Sequence, residues 1–454
     1  MPKRVMENRH IIHLYNRFGF GLNASEISQL KNRTFETQLD QERLAPIQMD
    51  LSEFSQLDPR AMSAEDKKDL RKQARQKSIE LNVQWMKQMI SSRHFIHEKM
   101  NLFWHHHFAC VIDNPIYATQ FTNVIRKHAT GNFRNLLLGI SKSAAMIDFL
   151  HTRQNRKQHP NEDFARELCE LFTLGLDREY SEQDIQQIAR CFTGWNHQFN
   201  GEFVLRTKQH DYGEKTVFGK TGNFGGEDVI DLILKKKACA RFICENVYQY
   251  FVHPDPNPDH IWELTEVFYD SNYDIRTLIV HIAQADWFYE DTNILSKIKS
   301  PIEFMVGLAR QFQLDNKKPA SWLTLQRQLD QVLFRPPGVK GWKVDREWID
   351  SNSLPLRLRL PSILLTNGEL DLETQPDYDA NPGQSAKRNR YSKKLGFSYN
   401  WAYFFTKNRG TDFQELFFNG KLSPHSAQLM ERRTFDSEME EVIQLISLPE
   451  YQLI

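Results

Sequence analysis

Asn161 through Gly175 reads NEDFARELCELFTLG, and its pattern sets the fold class of the chain. Phe164, Leu168, Leu171 and Phe172, with Ala165 and Cys169, take one helical face. Asp163, Arg166, Glu167 and Glu170 share the other. Asn161 suits an N-cap, Glu162 and Asp163 suit the positive end of the helix dipole, and Gly175 can supply the left-handed residue beyond the helix. The plainest expectation is an amphipathic helix with a wet charged face, on which Glu162 and Arg166 form an i,i+4 pair.

The same period recurs outward. Residues 61–90 predict one long surface helix, and 92–109 a further helix. Ser181-Glu182-Gln183-Asp184 resembles a capping box opening a helix that Gly194 can close. Helical patterns follow at 226–252, 259–270, 273–288, 300–313 and 436–447. Between 199 and 225 the period lapses. There Phe203-Val204-Leu205 and Thr216-Val217-Phe218 flank turn-rich sequence, and seven of the 20 glycines fall between 194 and 226. The expected fold is therefore mainly α: a multi-helix globular body with a long Gly-rich loop and room for one small β-hairpin. Residues 1–365 are expected to form the main helical domain, including the 199–225 loop. Residues 366–395, acidic first and basic afterwards, predict an exposed irregular segment, and 396–454 a helical part packing on the same domain.

Composition narrows the function. The chain has 454 residues, with 58 Lys and Arg balancing 58 Asp and Glu, which argues against nucleic acid as a partner. No apolar run reaches the ~18–20 residues that span a bilayer. The opening residues carry charges where a signal peptide needs an apolar stretch, so a soluble cytoplasmic protein is expected. The five scattered cysteines, with no C-x-x-C pair, predict buried reduced thiols rather than a disulfide or zinc framework.

The densest histidine region is Ser92 through Phe108. On a helix, His94, Glu98, Asn101 and His105 form one narrow stripe, while His107 points the other way unless the helix ends near it. A Glu and a His on one stripe can supply one side of a metal or proton-transfer site. Glu167 and Glu170 could meet them from the 161–174 helix. Such an oxygen-rich set would favour a divalent metal such as iron, manganese or magnesium. His210-Asp211, in the long loop, adds a candidate ligand or general base.

Phe103-Trp104-His105-His106-His107-Phe108 resembles an FWHxHF signature, and residues 161–175 resemble NExxARELxELFTLG. In order with them stand HLYNRFGFG (13–21), ARCFTGW (189–195), His210-Asp211 with Lys215 and Gly219, RPPGVKGW (335–342) and LPEYQ (448–452). On these motifs the chain is similar to the bacterial domain of unknown function 1800 family over nearly its whole length. The resemblance implies one continuous family domain and brings no assigned reaction. It implies export for many members, a feature the opening residues here do not match. It strengthens Glu98, His105, Glu167 and Glu170, and weakens His106, which falls where the family pattern varies. His94 and His97 lie outside the motif.

Two expectations result. The first is a metal-assisted hydrolase or oxidoreductase acting on a small molecule. Glu98, His105, Glu167 and Glu170 would be metal ligands or proton-transfer groups, and Arg166, His210 and Asp211 would carry catalytic roles. The second is a non-catalytic helical protein that binds or assembles with a protein partner.

Overall fold

The computed structural model describes residues 7–454 apart from 32, 41–43, 56–61, 177–178, 367 and 374–389. The helix that organises it is Phe95–His107, in which every residue from Phe95 to His105 is buried. A helix enclosed on all sides belongs at the centre of a large protein. The His94–Glu98–Asn101–His105 stripe therefore faces neighbouring helices and not water.

Three helices wall this centre. Ala64–Ser91 opens on a Ser63/Asp66 capping box and buries only its later part, including Leu81, Trp85, Met86 and Met89. The expected long surface helix is thus half embedded. Pro115–His128 starts with Pro at its first turn and an Asn114 cap, and sends Arg126 inward to Glu98. Lys237–Phe251 meets the central helix through rings, Phe103 lying 5.1 Å from Tyr250 and 5.5 Å from Phe251.

The predicted 300–313 helix spans Pro301–Phe312, capped by Ser300 and Glu303 in a capping box. Its far end receives the last part of the chain: Phe312 stacks on Phe404 at 4.6 Å and lies 6.2 Å from Phe417. The residues just before it are held by the chain's end. Lys297 and Ile454 exchange backbone hydrogen bonds, and the Lys299 N–H donates to the Gln452 carbonyl.

The 199–225 stretch carries two hairpins instead of one. Trp195–His197 pairs with Phe203–Leu205, and Lys215–Val217 with Lys220–Gly222, both antiparallel. The second turns through Phe218 and Gly219, each at positive φ, the geometry of a two-residue hairpin turn whose twist matches the strands. Phe218 holds that strained conformation because its N–H donates to Asp184 and the Lys236 ammonium lies over its ring. Two further strand pairs join Asp315–Asn316 to Phe397–Ser398 and Glu369–Glu373 to Arg390–Lys394. The middle of the expected irregular segment, 374–389, lies outside the described residues. All five cysteines are buried and free. No helix among the described residues is long and apolar enough to cross a membrane.

Replacing Phe312 by Ala removes the ring on which the C-terminal helices dock. The expected loss is roughly 3–5 kcal/mol, read from urea unfolding of the purified protein.

Candidate functional site

The structure gives each sequence-predicted residue specific partners. Both carboxylate oxygens of Glu98 accept from Arg126 Nη1 at 3.0 Å, and Oε2 also accepts from Trp85 Nε1 at 3.1 Å. This is a fully buried ion pair matched one charge to one. His105, a full turn and more along the same stripe, accepts the Phe334 N–H at Nε2 (3.0 Å) within a cage of Trp85, Phe121, Phe334 and Trp342. Burial pushes its pKa down to about 3, so the ring is neutral, with its proton on Nδ1.

Glu167 and Glu170 lie on a helix that changes type partway. The α-helix runs only Asp163–Glu167 and continues as a π-helix over Leu168–Thr173. Asn161 still caps the Asp163 N–H, at 3.1 Å, while Leu174 and Gly175 both donate to the Cys169 carbonyl. The wide turn is fastened by the Thr173 hydroxyl, which donates back to Leu168. Short π segments are frequent at functional sites, and helical periodicity alone does not reveal them.

On this helix Arg166 is a hub. It binds Glu182 at 2.7 and 2.9 Å, Glu162 at 3.2 Å and Glu170 at 3.3 Å. Glu167 stands beside this network, and burial together with the Glu170 charge raises its pKa. The two predicted helices meet at their ends. His107 Nε2 donates to the Phe172 carbonyl (3.1 Å), and Phe108 packs against the Phe172 ring. Their contact is thus made by His107 and backbone, while Glu98 is engaged by Arg126 and Trp85. Among the described residues no group of three or more His, Cys, Asp or Glu side chains is arranged to hold a metal ion.

His210 and Asp211 are bound into the scaffold around Thr193. His210 Nδ1 donates to the Thr193 carbonyl at 2.7 Å, and the Asp211 N–H donates to the Thr193 hydroxyl at 2.8 Å. Gly194 permits this approach: it sits at φ +79°, and a Cβ there would come within 2.7 Å of the Arg206 carbonyl. Burial works upward on the Asp211 carboxyl, but its hydrogen bonds from Arg190 and the Gly213 N–H outweigh that and hold it low.

The polar groups that do converge on a cavity lie elsewhere. A cavity of about 140 Å³ opens beside the end of the central helix, lined among others by His106, His107, Lys297, Glu303, Gln331 and Asp345. His106 is pressed toward Trp342, and Gly341, at φ +87°, lets that loop approach the His106 carbonyl. Burial lowers the pKa of both His106 and His107 to about 4, so both rings are neutral.

Lys297 is 8% exposed, and its ammonium donates to the Gln249 carbonyl. Burial first, and the neighbouring Arg17 second, pull its pKa down to about 7. Glu303 is engaged on both oxygens: Lys99 binds Oε1 and the Ser300 N–H donates to Oε2 at 2.7 Å. Burial is the largest influence on Glu303 and acts upward, but Lys99, Lys297 and the Ser300 N–H together outweigh it and bring the pKa to about 2. The Lys99 ammonium also donates to the Gly19 carbonyl.

Sequence reasoning missed this cluster because each cation reads alone as an ordinary surface residue. Two signals were present: Lys297 and Lys299 bracket Ile298 immediately before a Ser-Pro-x-Glu capping box, and Arg17 falls within HLYNRFGFG.

A mainly α body built round one buried polar helix, with a cationic cavity at that helix's end, is the class that fold and site define. The chain belongs to the family described as protein of unknown function DUF1800, whose model matches residues 13–453. Comparison with curated proteins and with solved structures finds no match.

Two predictions follow from these geometries. Arg126→Met leaves the Glu98 carboxylate buried without its cation, and should cost roughly 3–5 kcal/mol in urea unfolding. Lys297 has a folded pKa below its unfolded one, so its burial penalty is complete below about pH 7 and is relieved as the pH rises toward the unfolded value. Lys297→Met should therefore be more stable than the parent at pH 6.5, with the gap narrowing by pH 9. A gap constant with pH would show that the ammonium is not the source.

Proposed function

We propose that the cavity at the end of the central helix is the functional site of this protein, and that it binds a small polar molecule for reaction. The observation that carries this reading is convergence. Two neutral imidazoles, a lysine whose pKa burial lowers to about 7, a carboxylate and a carboxamide line one cavity, together with Phe103, Tyr250 and Trp348. Groups whose pKa values are shifted by burial, gathered in a cleft, are the physical mark of acid–base sites. Lys297 can exchange a proton at neutral pH, and its neutral form is a nucleophile.

The metal-assisted reaction suggested by Glu98, His105, Glu167 and Glu170 needs Glu98 to exchange Arg126 for a metal, and His105 to give up the Phe334 amide. His106 and His107 beside Glu303 and Asp345 are the histidine and carboxylate set that this fold brings to one cavity. Of the predicted residues, Glu167 and Glu170 lie on the helical segment to which His107 is fastened through the Phe172 carbonyl.

Equilibrium dialysis against a deproteinised cell extract, read by mass spectrometry, tests the proposal. The parent protein should enrich at least one small polar compound, and a folded His106→Leu variant should enrich it at least tenfold less. Equal enrichment by both proteins, or none by either, would overturn the assignment.

A further inference from the structure

The charges around the cavity do not balance. Arg17, Lys99, Lys297 and Arg357 are buried, and the Lys299 ammonium is enclosed over the Tyr451 ring at 4.1 Å. All five are close enough to Glu303 to feel its field. Against them stand that one buried carboxylate and the half-buried Asp345, which accepts the Ile298 N–H at 2.9 Å.

Hydrogen bonding leaves the same surplus. Glu303 is fully engaged by Lys99 and Ser300. Arg17 gives only Nη2 to the Asn293 carbonyl and Ser296 hydroxyl, and among the described residues its Nε and Nη1 have no partner. Nη1 of Arg357 is likewise unpartnered. Lys297, on the cavity wall, donates to the Gln249 carbonyl and, among the described residues, has no carboxylate in hydrogen-bond contact. Beside it, Gln331 Oε1 accepts the Ile302 N–H at 2.8 Å, leaving its amide N–H groups to the cavity.

Such a surplus is not the habit of this fold. Glu98 and Arg126 match one to one. The buried Lys215 donates to two carbonyls and neighbours Asp211. Buried cations without counter-charge are costly, and a bound anion removes that cost.

We infer that the ligand of this cavity is a small oxyanion, a carboxylate or phosphate, received by the Lys297 ammonium and the Gln331 amide with Arg17 and Lys99 charging the site from behind. The inference rests on the reading of the cavity as a ligand site and adds the chemistry of what enters. The groups facing Lys297 are Arg17, Lys99 and His106 on the cationic or neutral side, and Glu303 and Asp345 on the anionic side. An incoming anion joins the second group. It favours the ammonium over the amine, so binding near pH 7.5 takes up protons.

Calorimetric titration of the full chain at pH 7.5 and fixed ionic strength tests this, with inorganic phosphate in one arm and succinate in another. Each arm is run in two buffers of different ionisation enthalpy, and succinamide serves as the uncharged counterpart. At least one anion should bind saturably with proton uptake, and at least tenfold more tightly than succinamide. The same anion should bind at least tenfold more weakly to Lys297→Met and Lys297→Gln, both of which should melt no lower than the parent without ligand. Phosphate binding without succinate assigns a phosphoryl group, and the reverse assigns a carboxylate. Succinamide binding as tightly as succinate would overturn the anion inference while leaving the cavity reading in place. Anion binding unchanged in both variants would overturn it too. Absence of binding by both anions would overturn the anion inference, and if no compound is enriched from extract the cavity reading falls with it.

Discussion

The ion pair between Lys99 and Glu303 is the constraint on which the rest of the structure depends. Lys99 lies within a helix enclosed on every side, where an ammonium cannot reach water and must find its acceptors inside the protein. It finds two: the Gly19 carbonyl and the Glu303 carboxylate. Glu303 in turn spends its second oxygen on the amide that opens its own helix. One contact thereby fixes the N-terminal HLYNRFGFG turn, the central helix and the start of Pro301–Phe312 relative to one another. Gly19 is required at this junction, since a Cβ would meet the Tyr15 carbonyl at 2.6 Å and the Phe95 ring at 3.0 Å.

Two buried polar centres thus flank one helix with opposite character. On the Glu98 side the charges cancel and both carboxylate oxygens are engaged, which gives rigidity and orientation. On the His106 side the cations exceed the carboxylates and donors remain open toward a cavity. The matched centre orders the shared helix, and the unmatched one meets the cavity at that helix's end. The π-helix plays a similar part: it offers the Phe172 carbonyl to His107, which orients one wall of the cavity from outside it.

Much of the fold was legible in sequence because helical periodicity and capping are local signals. The Ser181–Asp184 box, the helix over 301–312 and the long helix ending near residue 91 all appear where apolar spacing put them. What spacing cannot report is how many faces of a helix are covered. The stripe through Glu98 and His105 was recognised as special, yet its partners Arg126 and Phe334 come from distant parts of the chain. The cavity is further from local reach still. Arg17, Lys99, Lys297 and Arg357 are each separated by tens or hundreds of residues, and only tertiary packing makes them neighbours. RPPGVKGW is visible in the sequence as one of the motifs that carry the family resemblance; that its Gly341 lets the loop close on His106 is not.

The antiparallel bridge between residues 297–299 and 452–454 imposes an order on biosynthesis. Lys297 and Lys299 flank an isolated bridge, Ile298 to Leu453, so a nascent chain carries those lysines for some 150 residues before their backbone partners exist. An unfinished chain therefore leaves the backbone of residues 297–299 without the partners it has in the folded protein.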